Sequence, residues 1–474
     1  MDLTAGKGYN ALVVTRAGRK NQSARVVRAR AFAGAVIPFS NEFRWFFLRA
    51  AGGFAGFAVP SVVASKTAMA IVFALAGSYA VLGLLPVLRR PATWAGLKRP
   101  FALTVYVMLA CWLVSALSGL AAGRSLAAWG WTTAIIAVGW VIGRALREDE
   151  RAVTEALRSL VITSLLCMML ALAATYLWHG AIDPVGIRGV KEFHGARQKL
   201  KSYGSIAPVL APLVVWAGWR LSKTGSGVWR IAGLAYLPLA GLLVFTVSSR
   251  AGLLGVGMLG LALVLALVLI RLPRRAAQWS AGAFFALAVA ATVIFASYLP
   301  KPPISGLQDY RISKTFQVHR QAIWGFAVHH AMRAPVLGHG PDASRLLPGA
   351  KQRAGWFAHE YVPSHTHNWI LQALVETGFL GLGAMLVVVA MLFGTFVRAT
   401  ARGNVGGWVG VALMGAFFGS WLANFSLWAA WWQASIVMLI AILSAAIAGG
   451  APPITNTGWR APLKGIARAR SDGP

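Results

Sequence analysis

Apolar runs of about twenty residues, separated by short polar stretches, recur from residue 45 to residue 449. An α-helix rises 1.5 Å per residue, so about 20 residues cross the ~30 Å hydrocarbon layer of a bilayer. Twelve spans are expected, at about 45–64, 67–88, 101–121, 126–145, 155–178, 205–220, 231–248, 250–270, 278–298, 368–397, 406–424 and 427–449. The strict period-two alternation of a membrane β-barrel is absent. The run 368–397 is overlong, and Gly378 and Gly381 would mark a break or tilt in it. Segment 31–40 is too short to cross alone and would lie at the interface. The predicted fold class is all-α: a polytopic membrane protein of about twelve transmembrane helices with a mostly helical outer segment.

Composition agrees with the pattern. The chain is 57% hydrophobic and 12% charged, with a mean hydropathy of +0.64, whereas a soluble protein carries about 25% charged residues. Cys111 and Cys167 both sit inside apolar runs and read as small packing residues. No CxxC or zinc spacing occurs. Residues 1–30 are basic and polar, with no compact apolar core before a small-residue cleavage site, so no cleaved signal peptide is expected.

The net charge of +32 changes the picture more. Nucleic-acid binding, topology signals and an anionic substrate compete to explain it. A nucleic-acid binder concentrates its cations on one soluble module; here they are scattered between spans, which argues against a nucleic-acid partner. Short loops carrying Arg89, Arg90, Lys98 and Arg99, or Arg271, Arg274 and Arg275, mark the cytoplasmic side, as does a tail with Arg460, Lys464, Arg468 and Arg470. Both termini are therefore expected to be cytoplasmic. The expected organisation is a basic N-terminal segment 1–44, nine spans over 45–298, an outer segment 299–366, three spans over 367–449 and a basic tail 450–474.

Two outer segments run against the topology rule. Loop 179–204 holds Arg188, Lys191, Arg197, Lys199 and Lys201 against Asp183 and Glu192. Segment 299–366 carries eight Lys or Arg against Asp309, Asp342 and Glu360. Long loops are translocated regardless of charge, but a cationic vestibule over a membrane bundle points to an anionic ligand such as a lipid phosphate or diphosphate. All nine histidines lie in these two outer regions, and most read as ordinary interfacial residues.

Within the outer segment, 308–333 reads as a helix ended by Pro335, with Arg320, Trp324 and Ala327 on one face. The turn 335–341, PVLGHGP, has glycines that would let backbone approach a ligand closely. Arg250 follows Ser248 and Ser249 at an outer boundary between two spans joined almost without a loop. Snorkelling to headgroups and substrate binding both account for it. Glu376 lies inside the tenth span, where it would bond His367 or a neighbouring helix. Trp356, Trp369, Trp428, Trp431 and Trp432 read as an interfacial belt or as sugar and lipid contacts.

The stretch SSRAGLLG at 248–255, the Arg320–Trp324 helix, the GHG turn at 338–340 and HNWILQALVETGFLG at 367–381 occur in that order. Together they resemble the O-antigen ligase and polymerase superfamily, and most of all O-antigen ligase, over roughly residues 240–385. The resemblance implies transfer of a polysaccharide from undecaprenyl diphosphate onto the lipid A–core glycolipid in lipopolysaccharide biosynthesis. It implies a periplasmic active site at the bacterial inner membrane and no nucleotide cofactor; inversion at the sugar is the leading expectation, and no metal is expected because the outer face lacks a DxD or comparable carboxylate pair. The family's arginines match Arg250 and Arg320, and its histidine matches His367. The expected site thus has Arg250 and Arg320 on the diphosphate and His367 as base. Trp324, His339, Arg188 and Arg197 are further substrate contacts.

The chemistry fits those residue types. Breaking an anomeric carbon–diphosphate bond needs charge stabilisation on the leaving group, which arginine forks supply. Deprotonating the attacking sugar hydroxyl needs a base, and imidazole suits near-neutral pH. An O-antigen polymerase or a protein O-oligosaccharyltransferase would share the donor and differ in acceptor. A transporter or flippase for anionic glycolipids would instead need ionisable residues along a mid-membrane path.

Overall fold

The computed structural model describes residues 41–176, 193–299, 318–353 and 360–448. The chain divides into two units, Met1–Arg44 and Trp45–Pro474. Of the first, only 41–44, the start of the first helix, are described, and every later helix belongs to the second. Among the described residues there is no strand, only an isolated antiparallel bridge between Arg353 and Glu360. The long helices are α1 (Asn41–Ala58), α2 (Lys66–Leu84), α3 (Pro100–Ser118), α4 (Ala122–Leu146), α5 (Glu150–Tyr176), α6 (Phe193–Thr224) and α7 (Val228–Thr246), followed by α8 (Arg250–Leu269) and α9 (Arg274–Ser297). After them come α10 (Val318–Ala331), α11 (Trp369–Ala401), α12 (Val405–Trp421) and α13 (Ala430–Ala448).

Every expected span corresponds to one of these helices, and ten of them are long and apolar enough to cross a membrane. The other two fall short for different reasons. Helix α12 has 17 residues, and α1 carries Glu42, Arg44 and Arg49 within its 18 residues. Helix α10 ends at Ala331, ahead of Pro335 as expected; its expected start at 308 lies outside the described residues. The loop 179–192 and the basic tail lie outside them too.

The helices pair most closely as α8 with α12, α6 with α7, α3 with α11 and α4 with α13. Small residues allow the first of these contacts. A Cβ at Gly415 of α12 would lie 2.6 Å from Met258 O of α8 and 2.7 Å from the Ala262 side chain. Such close approach drives helix association where lipid offers no hydrophobic gain. On α11 the expected break falls at Gly378, whose φ of 65° and ψ of −172° are open essentially to glycine alone.

Candidate functional site

The outer segment returns to the bundle through Ser364–Asn368. Asn368 caps α11: its side chain accepts from the backbone N–H of Ile370 at 3.0 Å and of Leu371 at 3.1 Å. That satisfies two of the donors that a helix start leaves without partners. His367 therefore precedes the cap rather than lying on the helix. Its φ of 55° is left-handed, a conformation that costs about 1–3 kcal/mol and is concentrated at functional sites. Trp324 of α10 holds this approach, donating its indole N–H to Thr366 O at 3.0 Å.

Both histidines of the approach bond to one acceptor. His365 Nε2 lies 2.6 Å and His367 Nδ1 2.8 Å from the backbone carbonyl of Asn424, in the connection between α12 and α13. The rings are 4.0 Å apart, centroid to centroid. A carbonyl only accepts, so both nitrogens carry hydrogen. His365 Nδ1 must then accept from the Ser364 hydroxyl, 2.9 Å away, which uses both of its nitrogens. Among the described residues nothing bonds His367 Nε2, which keeps its lone pair. Burial pushes the His367 imidazole down to about 3, with the neighbouring His365 and Arg320 adding to this and the bond to Asn424 opposing it. Burial lowers His365 as well. Both rings are neutral near pH 7. His365 is thus as firmly held as His367.

The Asn424 side chain carries this arrangement to Arg250. Its Nδ2 donates to Ser205 Oγ at 2.9 Å, and Ser205 Oγ lies 3.0 Å from Ser249 Oγ. Ser205 gives its own hydrogen to Lys201 O, which leaves Ser249 as the donor between the two hydroxyls. Ser249 caps α8 by accepting from Gly252 N at 3.1 Å, and Arg250 is the first residue of that helix. Arg320 sits in the first turn of α10. Burial lowers its pKa, and the charge of Arg250 lowers it further. Two guanidinium groups are therefore near enough to repel, and Arg320 is also near enough to act on both histidines. Neither arginine has an ion-pair partner among the described residues. Neighbouring like charges with no carboxylate paired to them among the described residues favour an anion.

The glycine turn has a different role from the one expected of it. His339 N and Gly340 N donate to Val375 O and Glu376 O at 3.0 and 2.8 Å, while Phe379 N and Leu380 N donate to Pro335 O and Val336 O. The turn is thus spliced into the break of α11, and the backbone that Gly338 lets approach is that of Glu376 and Thr377 rather than a ligand. Glu376 is fully buried and locks the splice. It accepts from Asp342 N at 3.1 Å, Ser344 N at 3.0 Å, Gln372 Nε2 and the Trp428 indole. It bonds a neighbouring segment and not His367.

His339 turns away from the arginines, its Nε2 bonding His330 O at 3.0 Å near the far end of α10. From Arg320 to His330 is about 15 Å of helix. Arg188 lies outside the described residues. Arg197 falls within α6, and its side chain is not described. Trp369, Trp431 and Trp432 are buried in the bundle core rather than belted at an interface, and Trp428 is bonded to Glu376. Ser205 and Asn424 were not singled out from sequence, and Ser249 was named only as the neighbour of Arg250. A serine ahead of a helix is a common cap, and nothing local ties it to an asparagine in another connection.

Comparisons with known proteins fall on the same part of the chain. Residues 234–386 match a family model described as O-antigen ligase, which spans Arg250, Arg320, the glycine turn and His367. A Rickettsia typhi protein named "Putative polysaccharide ligase" is 32% identical over 85 residues, 17% of this chain and 21% of that one. A Rickettsia conorii protein of the same printed name is 22% identical over 139 residues, 29% of this chain and 33% of the relative. The chain thus spans at most about a third of these relatives' lengths.

Proposed function

Starting from an O-antigen ligase stretch at residues 234–386, we propose that the protein is a glycosyltransferase ligating O-antigen polysaccharide from undecaprenyl diphosphate onto lipid A–core. The bundle sits in the bacterial inner membrane with its arginine–histidine end facing the periplasm and both termini in the cytoplasm. One observation carries this reading: Arg320, near enough to feel the charge of Arg250, acts on an imidazole whose Nε2 lone pair is uncommitted among the described residues, where neither arginine has an ion-pair partner.

Arg250 and Arg320 bind the diphosphate oxygens as planar forks. The acceptor hydroxyl approaches the anomeric carbon from the face opposite the diphosphate and gives its proton to His367 Nε2. Its oxygen forms the new glycosidic bond as the carbon–diphosphate bond breaks. The electron pair leaves on the diphosphate, where the arginines stabilise the charge. The configuration inverts. Neither step draws on a metal or a nucleotide, because the arginines neutralise the leaving group and the donor is already activated. The bond from His367 Nδ1–H to Asn424 O fixes the tautomer that leaves Nε2 as acceptor.

The lipopolysaccharide ladder of a strain lacking this gene tests the assignment. Loss of all O-antigen from core is the expected outcome. A single repeat still attached to core would instead indicate a polymerase, and an unchanged ladder would remove the assignment.

A further inference from the structure

At the other end of the helices that hold the polar cluster lies a second feature of opposite character. Helices α6, α7, α8 and α12 enclose a cavity of about 530 Å³, within the ~300–1,000 Å³ usual for small-molecule sites. Trp216 and Trp219 of α6, Leu234 and Leu237 of α7 and Trp408 of α12 are among its walls. Among the described residues, Arg230 is the one charged residue that lines it. Leu234 and Leu237 are 47% and 46% exposed, so the cavity opens sideways, out of the bundle. Ser205, which belongs to the polar cluster, and Trp216 are separated by about 16 Å of α6. Arg230 begins the helix that ends near Ser249, so the two sites lie at opposite ends.

Cations gather around the mouth, with Glu150 close enough to act on one of them, Arg220. Lys223 Nζ lies 5.3 Å from the centre of the Trp219 ring, and the Arg220 guanidinium 5.5 Å from that of Trp216. Arg220 is further fixed by a bond to Ala446 O, whereas Arg230 is exposed. An apolar slot open to hydrocarbon, with a guanidinium at its mouth, suits a molecule with long alkyl chains and an anionic phosphate. Basic pockets between transmembrane helices recognise lipid headgroups in this way, and a guanidinium holds two phosphate oxygens at once.

We propose that this cavity binds one anionic phospholipid of the surrounding bilayer, its phosphodiester on Arg230 and its acyl chains against Trp216, Trp408 and the two leucines. The site is separate from the arginine–histidine cluster and does not depend on the function proposed for it. A polyprenyl diphosphate seated there would hold its reactive end a helix length from His367, so a structural lipid is the occupant.

Native mass spectrometry of the full chain tests this. Protein stripped of lipid in detergent is mixed with equimolar phosphatidylglycerol and phosphatidylcholine. A single bound phosphatidylglycerol, favoured at least ~5-fold over phosphatidylcholine, is expected. Arg230→Gln, an exposed change, should bring that ratio to about one. Leu234→Trp, which fills the slot from its open side, should reduce binding of both lipids. Equal retention of the two lipids by the unaltered protein would overturn the proposal. So would an undiminished preference in Arg230→Gln, or displacement of phosphatidylglycerol by stoichiometric polyprenyl diphosphate.

Discussion

Replacing each of the two neighbouring histidines by alanine separates the proposed base from its neighbour. Both rings touch Asn424 O, so contact alone does not distinguish them; the direction of their hydrogen bonds does. His365 spends Nε2 on Asn424 and Nδ1 on Ser364, leaving no lone pair for a substrate proton. His367 spends only Nδ1. General-base catalysis contributes about 10²–10⁴-fold, so His367→Ala should lower single-turnover transfer by that order. His365→Ala removes two hydrogen bonds, but the Ser364 hydroxyl is exposed to water and the Asn424 carbonyl keeps His367 as donor, so the net cost is that of one bond, about 0.5–1.5 kcal/mol. Transfer should then fall by no more than roughly tenfold, and His365→Asn should recover part of that loss if its amide reaches Asn424 O. The assay is transfer in proteoliposomes at saturating acceptor, alongside retention of lipid-linked donor by the same preparations. Equal impairment of the two alanine variants would refute the assignment. Loss of donor binding as complete as loss of transfer in His367→Ala would make the imidazole a diphosphate ligand rather than a base.

Three further outcomes are expected. Arg250→Lys and Arg320→Lys keep the charge but lose the fork, and each should lower transfer by roughly ten- to hundredfold while inserting normally; unchanged transfer in both would reduce these residues to headgroup anchors. His367 is held below its ordinary value near 6.5, so between pH 6.5 and about 3 the unfolded chain takes up a proton that the folded chain refuses. Its contribution to stability is whole above pH 6.5 and falls as pH drops through that window, and bound diphosphate raises the imidazole again. The acid limb of kcat should therefore sit at higher pH than that of kcat/KM, and coincident limbs near 6.5 would contradict this. Glu376→Ala removes the acceptor from four donor groups, of which the Gln372 amide keeps Ser426 as a second partner, at about 1–3 kcal/mol for each buried one left unsatisfied. It should sharply lower the unfolding temperature in detergent, while Glu376→Gln should fold better and retain transfer; a folded but inactive Gln variant would give Glu376 a chemical role.

The helices were legible because a bilayer demands long apolar runs whatever their contacts, and the break in α11 because the run is overlong and interrupted by glycines, of which Gly378 proved to be the one that bends it. The cluster was legible only in pieces. Arg250, Arg320 and His367 lie on three elements, and their order along the chain, not any local periodicity, drew them together. What joins them was out of reach: Asn424 and Ser205 stand 219 positions apart, and a hydrogen bond across such a separation leaves no trace in either neighbourhood. The glycine turn misled for a related reason. Glycines permit close approach without naming what approaches, and here it is the broken helix α11. His339 followed it into error, since its ring serves the carbonyl of His330.

Reconstitution of the purified protein with polyprenyl diphosphate-linked glycan and rough lipopolysaccharide, in EDTA and without nucleotide, tests the central claim most directly. The acceptor must be shown to remain dispersed, since divalent ions bind lipopolysaccharide itself. Two guanidinium groups in place of a metal predict glycan on core at an undiminished rate, with release of polyprenyl diphosphate. Abolition by EDTA and recovery on adding magnesium or manganese would contradict the account.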